Sequence, residues 1–313
     1  MKFQPEAMEQ ITNLVANHML PNECSVVVGD NSSGKSFFVR QLVLRWKDKI
    51  PVYFLDAVNR SFNVSKVTGT KERPEYKDSI VSTRLREEYF NMQDSFSCYG
   101  TSTERIEQIY SAFESKVQQL FAELTGDKFQ ILYGDPLGEV LFPGGRSALS
   151  SGYQALIRVL LELVYCEEMM PHAEKPMYVV VDELDEFLSP HYSAQILGFL
   201  RDKFPEMEFV VTTHSIDLVV AAKNANLILF DQNGYEVLDA NDYLTYSEVQ
   251  MIFSRIFGGR DDDLPDAEKT LRRLLNNKMN RAWSEMDEKM MEQLERGQLT
   301  PSQQLIYRQI LEW

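Results

Sequence analysis

Gly29-Asp30-Asn31-Ser32-Ser33-Gly34-Lys35-Ser36 follows the short run Ser25-Val26-Val27-Val28 and leads straight into Phe37-Phe38-Val39-Arg40-Gln41-Leu42-Val43-Leu44-Arg45-Trp46. The β-branched run reads as a buried strand and the stretch after the loop as an apolar helix. Between them stands a full G-x-x-x-x-G-K-[ST] pattern in the strand–loop–helix context that gives it meaning. Gly29 and Gly34 permit tight turns that aim backbone N–H groups at phosphate oxygens. Lys35 can reach the outer phosphates, and the Ser36 hydroxyl suits a magnesium ion. A chance glycine-rich turn has no reason to carry both flanking elements.

Outward from this loop, residues 4–18 have the pattern of a short helix, and Val52 to Leu55 that of a second strand. From Asn59 to Tyr99 polar residues dominate. Ser102 to Leu124 has helical spacing of apolar residues, and two short strands follow around Gln130–Tyr133 and Glu139–Phe142. The second half alternates: a helix from about Gly152 to Cys166, strand Tyr178–Val181, helix Tyr192–Lys203, strand Phe209–Thr212, helix Ile216–Lys223, strand Leu227–Phe230. Strands alternating with helices predict right-handed crossovers and a mostly parallel sheet covered on both faces, an α/β fold. From about Ser247 the pattern is helical only, broken by Gly258-Gly259-Arg260-Asp261-Asp262-Asp263.

The 313 residues can bury a sizeable core. No apolar run approaches the roughly 20 residues needed to cross a bilayer. The opening MKFQPEAMEQ has no basic region followed by an apolar one, so no secretory signal is expected. Cys24, Cys98 and Cys166 are widely spaced and form no CxxC pair. That suits a reducing cytoplasm and argues against a disulfide framework or a zinc site. The net charge of −15 disfavours nucleic acid as a partner, because a polyanion calls for a basic stripe. Lys66, Lys71, Arg73, Arg84 and Arg86 form a loose cluster, more simply read as solvated charges. Protein partners are expected instead.

Three further motifs follow the loop. Leu149-Ser150-Ser151-Gly152-Tyr153-Gln154 opens the helix that precedes the acidic strand end. Ser150 or Ser151 can cap that helix, and a helix N-terminus also suits a phosphate. Tyr178-Val179-Val180-Val181 runs into Asp182-Glu183, an acidic pair placed to hold a magnesium shell and to activate water. Val210-Val211-Thr212-Thr213-His214-Ser215 ends an apolar strand on one of only four histidines.

In this order and at these intervals the four motifs resemble the Walker A, signature, Walker B and switch-histidine elements of the ABC ATPase superfamily, over about residues 22–240. The segment Asp182-Glu183-Leu184-Asp185-Glu186-Phe187-Leu188-Ser189-Pro190 is similar to the DEPE-x-x-x-HP pattern of its soluble branch. That branch includes RecF and other SMC-like repair proteins, the overcoming-lysogenization-defect nucleases and ATPase subunits of bacterial anti-phage systems. Leu184 stands in place of the proline, Ser189 of the histidine, and Tyr153 of the usual Glu or Gln.

The resemblance implies a P-loop NTPase of the ABC-head type that uses ATP and Mg²⁺. It implies an ATPase domain over 1–245, a helical lobe over about 61–165 and a C-terminal helical segment over 246–313. Nucleotide would be held by Gly29, Asn31, Ser32, Ser33, Gly34, Lys35, Ser36 and Phe37, and the metal by Ser36 and Asp182. Glu183 would activate water, with Lys35 and His214 completing the catalytic set. Ser150, Ser151, Gly152 and Gln154 would act in trans, from an opposing copy, so a homodimer or higher homo-oligomer is implied. A Q-loop residue is expected after the second strand, where Gln93 and Asn59-Arg60 are candidates. The 61–141 insert is too short for a long coiled-coil arm, and no second catalytic module is visible. An effector under ATP control, a nuclease or toxin, is therefore expected on a separate polypeptide. The alternative is a RecF-like repair ATPase that binds DNA.

Overall fold

The computed structural model describes residues 5–31, 33–46, 49–57, 60–69, 96–97, 106–169, 176–231, 234–243 and 245–257. Beyond these it describes Thr270, Leu271, Leu274, Lys278, residues 283–295, Tyr307, Arg308, Ile310 and Leu311. Two compact units divide the chain, Met1–Ile256 and Phe257–Trp313.

In the first unit, helix α1 (Pro5–Ala16) leads to strand β1 (Cys24–Gly29), helix α2 (Lys35–Trp46) and strand β2 (Val52–Leu55). After the two-residue strand β3 (Phe96–Ser97) come α3 (Ile106–Thr125), β4 (Gln130–Ile131), β5 (Glu139–Phe142), β6 (Gly145–Ala148) and α4 (Ser151–Met169). The remainder is β7 (Met177–Val181), α5 (Pro190–Lys203), β8 (Met207–Thr213), α6 (Ile216–Ala221), β9 (Ala225–Asp231), β10 (Gly234–Asp239) and α7 (Tyr246–Phe257).

A seven-stranded sheet has the order β10-β9-β1-β8-β7-β2-β3. The inner strands β9, β1, β8, β7 and β2 are parallel, while β10 and β3 pair antiparallel at the two edges. The parallel strands read as continuous apolar runs because both faces are covered. Val27, Phe54, Val180, Val210 and Ile228 share one core with Met8, Ile11 and Val15 of α1 and Phe38, Leu42, Val43 and Trp46 of α2. The opposite face carries Tyr53, whose hydroxyl donates to Glu162 Oε2 on α4 at 3.1 Å. This is the α/β fold, with a mostly parallel sheet covered on both faces, that the alternation of elements predicts.

Strands β3, β6 and β10 were not expected from the periodicity. Gly145–Ala148 of β6 is exposed along its length, so it lacks the alternation that marks a half-buried strand. It pairs antiparallel with β5, and β5 with β4, in a separate three-stranded sheet. That small sheet delivers the chain to the start of α4.

In the second unit, Leu271, Leu274, Met291 and Ile310 form a small core against Trp283, Met290, Leu294 and Tyr307. Helix α8 (Glu285–Glu295) starts at a reciprocal cap. Ser284 N donates to Asp287 Oδ2 at 2.9 Å, and Asp287 N to Ser284 Oγ at 3.4 Å. No helix among the described residues is long and apolar enough to cross a membrane.

Leu42 of α2 is fully buried in the core that α1 and α2 share with the sheet. Leu42→Ala should cost about 2–5 kcal/mol, read as a lowered urea midpoint at unchanged slope.

Candidate functional site

The parallel register brings the ends of β1, β7 and β8 side by side, with Val28 opposite Thr213 and Val181 opposite Val211. Chemistry therefore collects at the carboxyl edge of the sheet, the usual crevice of open α/β folds.

The loop after β1 is tightly wound. Gly34 has φ +105°, a conformation that side chains disfavour. At Gly29 a Cβ would lie 2.5 Å from Ser33 Oγ and 3.0 Å from Phe230 Cβ, so only glycine fits where the loop leaves the sheet. Ser33 N donates to Asp30 O at 3.1 Å and closes the turn. Lys35 is only 7% exposed, and its Nζ donates to Gly29 O at 2.7 Å and Asp30 O at 3.2 Å. Burial lowers its pKa, while Glu183 and Asp182 pull the other way. Ser36, Phe37 and Asn31 are exposed around the mouth of the loop. Ser32 lies outside the described residues.

Asp182, 7% exposed, follows β7 and is held from three elements. Its N–H donates to Leu55 O of β2 at 2.9 Å, and its Oδ1 accepts from Thr212 Oγ1 of β8 at 2.7 Å. Its carbonyl accepts from Arg60 Nη2 at 2.9 Å. Burial raises its carboxyl pKa, with the Thr212 hydrogen bond opposing. Glu183 has φ +50°, a left-handed conformation costing of order 1–3 kcal/mol in a residue with a side chain. Its N–H donates to the same Thr212 Oγ1 at 2.8 Å. Its Oε1 lies 3.4 Å from His214 Nε2. That contact lowers the Glu183 pKa most, against the effect of burial and with help from Lys35. Glu183 is thus kept ionised, the state a proton acceptor needs. Phe187, half exposed, has φ +66°, a second strained residue in the same turn.

The LSSGYQ segment begins α4. Ser150 Oγ accepts from Tyr153 N at 3.2 Å, so Ser150 is the capping serine, while Ser151 is exposed. Gln154 turns inward, donating to Leu149 O at 3.0 Å. A Cβ on Gly152 would meet Phe187 O at 3.1 Å: the helix start abuts the turn after Asp182-Glu183 in the same chain. Tyr153 bonds Asp127 through its hydroxyl and packs edge-on against Phe121 at 4.9 Å. The aromatic ring thus joins α4 to α3, a use that the family pattern at this position does not suggest.

Lys35, Asp182, Glu183 and His214 are therefore brought together. Ser150, Ser151, Gly152 and Gln154 stand at the start of α4, with Gly152 against the Phe187 backbone. Of the Q-loop candidates, Gln93 and Asn59 lie outside the described residues, as do Lys71, Arg73, Arg84 and Arg86; Arg60 is buried beneath Asp182. Two site residues escaped the sequence reading, Thr212 and Thr213. Thr213 Oγ1 bonds Asp185, as Thr212 bonds Asp182. The paired hydroxyls stand in plain view at the end of the strand, but nothing in the sequence names the carboxylates they bond.

The loop suits a polyphosphate. Ser33 Oγ is buried with no hydrogen-bond partner among the described residues, and buried polar groups ordinarily find partners. Among the described residues no group of three His, Cys, Asp or Glu side chains could hold a metal alone. Mg²⁺ is usually held by one or two protein ligands together with phosphates and water, and the Ser36 hydroxyl and the Asp182 carboxylate are donors of that kind.

No family model matches the chain. It is similar to the Septu protein PtuA of Bacillus mycoides (strain KBAB4), 24% identical over 157 residues, or 43% of this chain and 22% of that protein. It is also similar to the Septu protein PtuA of Bacillus thuringiensis, 27% identical over 115 residues, or 34% of this chain and 28% of that protein. The matches thus span well under a third of the relatives' length. Among solved structures, the SMC head domain from Thermotoga maritima is 14% identical at a TM-score of 0.37, covering 69% of this chain and 89% of that one. A chain from work on ATP-driven dimerisation and DNA-stimulated activation of SMC ATPases is 17% identical at 0.34, covering 48% and 96%.

Thr212→Val keeps the shape and removes the hydroxyl shared by Asp182 and Glu183. It should destabilise the fold by about 1–3 kcal/mol, measured by chemical denaturation against wild type.

Proposed function

We propose that the chain binds ATP with Mg²⁺, hydrolyses it at a site completed by a second copy, and through this cycle controls a separate protein effector. The observation that carries the first part is the convergence of Lys35 with Asp182, Glu183 and His214 at one sheet edge. A buried cation, a buried carboxylate and an ionised carboxylate in one cleft are the parts phosphoryl transfer uses, since it relies on positioning and charge more than on covalent chemistry.

Gly29, Asn31, Ser32, Ser33, Gly34, Lys35, Ser36 and Phe37 would hold the nucleotide, and Ser36 with Asp182 the metal. Bound ATP–Mg²⁺ would supply the reactive phosphoryl group and neutralise its charge. Lys35, whose Nζ donates to the Gly29 and Asp30 carbonyls, is the donor placed for the outer phosphates. Glu183 accepts the proton of the attacking water, and His214, 3.4 Å from it, fixes its orientation. Asp182 cannot wander, because its peptide and carboxylate are both tied.

The exposed Ser151 and the N-terminus of α4 supply the groups for an opposing copy's phosphate, with Ser150, Gly152 and Gln154 shaping that surface. A single copy then has half a site. The likeness to two Septu PtuA proteins supports placing the control in anti-phage defence, with a nuclease or toxin as effector. The net charge of −15 supports a protein rather than a nucleic acid as that partner.

Wild type should hydrolyse ATP, Lys35→Ala should not, and Glu183→Gln should lose about 10²–10⁴ in turnover while still binding ATP. Light scattering of Glu183→Gln with ATP should show a doubled mass, with or without duplex DNA. Wild-type turnover no faster than Lys35→Ala would sink the enzymatic reading. An ATP-loaded monomer would sink the composite site.

A further inference from the structure

The peptide that joins Asp182 to Glu183 is gripped at both ends. Its carbonyl accepts from Arg60 Nη2 at 2.9 Å, and its N–H donates to Thr212 Oγ1 at 2.8 Å. Immediately after this peptide the chain enters the left-handed conformation of Glu183, at φ +50°. Such strain persists only where the surroundings over-determine it. Fixing the peptide plane decides where the Glu183 carboxylate points, and hence its 3.4 Å contact with His214.

Arg60 is unusual as a structural donor. It is 3% exposed, and its Nε is buried without a hydrogen-bond partner among the described residues. A buried guanidinium is costly unless carboxylates compensate it, and those of Glu162, Asp56 and Asp182 lie within electrostatic reach. Glu162 belongs to α4, the helix that begins with LSSGYQ. It is bonded by Arg158 one turn earlier and by Tyr53 of β2. The cation therefore sits against the acidic strand end, with the Glu162 carboxylate among the charges that compensate it.

We propose that Arg60 is a positioning residue: it holds the Asp182–Glu183 peptide in its strained orientation. The proposal rests on Glu183 being the proton acceptor of the site.

The test is amide hydrogen exchange on full-length Arg60→Met and Arg60→Lys, with ATP turnover and ATP affinity measured in parallel. Arg60→Met should speed exchange in peptides covering Asp182 to Leu188 while β7 and β8 stay protected. Its turnover should fall about 10- to 100-fold at unchanged ATP affinity, since ATP holding is left to the loop. Arg60→Lys keeps the charge and should give a smaller change of both kinds. It also carries the test if Arg60→Met does not fold. Wild-type exchange across 182–188 in the folded variants overturns the proposal, as does an equal rise throughout β7 and β8, which would mark a merely structural arginine. Exchange needs no nucleotide. If wild type proves not to hydrolyse ATP, the reading of Glu183 fails separately, and exchange still decides whether Arg60 holds the peptide.

Discussion

The parallel hydrogen-bond ladder β1–β8–β7 is the constraint on which everything else in the first unit rests. Parallel pairing aligns the carboxyl ends of strands that are distant in sequence, so the loop after Gly29, the pair Asp182-Glu183 and the Thr212-Thr213-His214 run end at one edge. The ladder survives only because both faces are covered. Helices α1 and α2 pack on one side, and the opposite face meets α4 through Tyr53. A slip of one residue in β8 would invert its faces and carry Thr212 away from Asp182.

Around that edge the molecule stores strain and buries charge. Glu183 and Phe187 occupy left-handed backbone, Lys35 and Asp182 are nearly covered, and Arg60 lies deeper still. Each of these costs free energy that packing elsewhere must offset. Their concentration at one sheet edge, beside a loop whose buried Ser33 hydroxyl has no hydrogen-bond partner among the described residues, is the arrangement expected where positioning matters more than stability. The start of α4, pressed against the Phe187 carbonyl at Gly152, meets the same turn from the other side. The acidic turn thus touches the phosphate loop through charge, β8 through Thr212 and α4 through backbone contact.

The sequence by itself determined the glycine-rich loop after β1, the acidic strand end and the alternation that makes an α/β sheet. These are local signals: a glycine pattern, a β-branched run and the flanking helix are set by conformational preference within a few residues of one another. Strand β6 was illegible because it is exposed throughout and exists only by pairing with β5. The roles of Thr212 and Arg60 were illegible for a related reason. Both act on Asp182 across long gaps in the chain, and a hydroxyl or guanidinium shows no periodicity that names its partner. Only the tertiary structure decided that Tyr153 packs on α3, that Gly152 is small because a backbone carbonyl approaches it, and that one peptide is clasped between an arginine and a threonine. Those facts depend on which surfaces come within 3 Å of each other, and that is settled by packing the whole sheet and its helices at once.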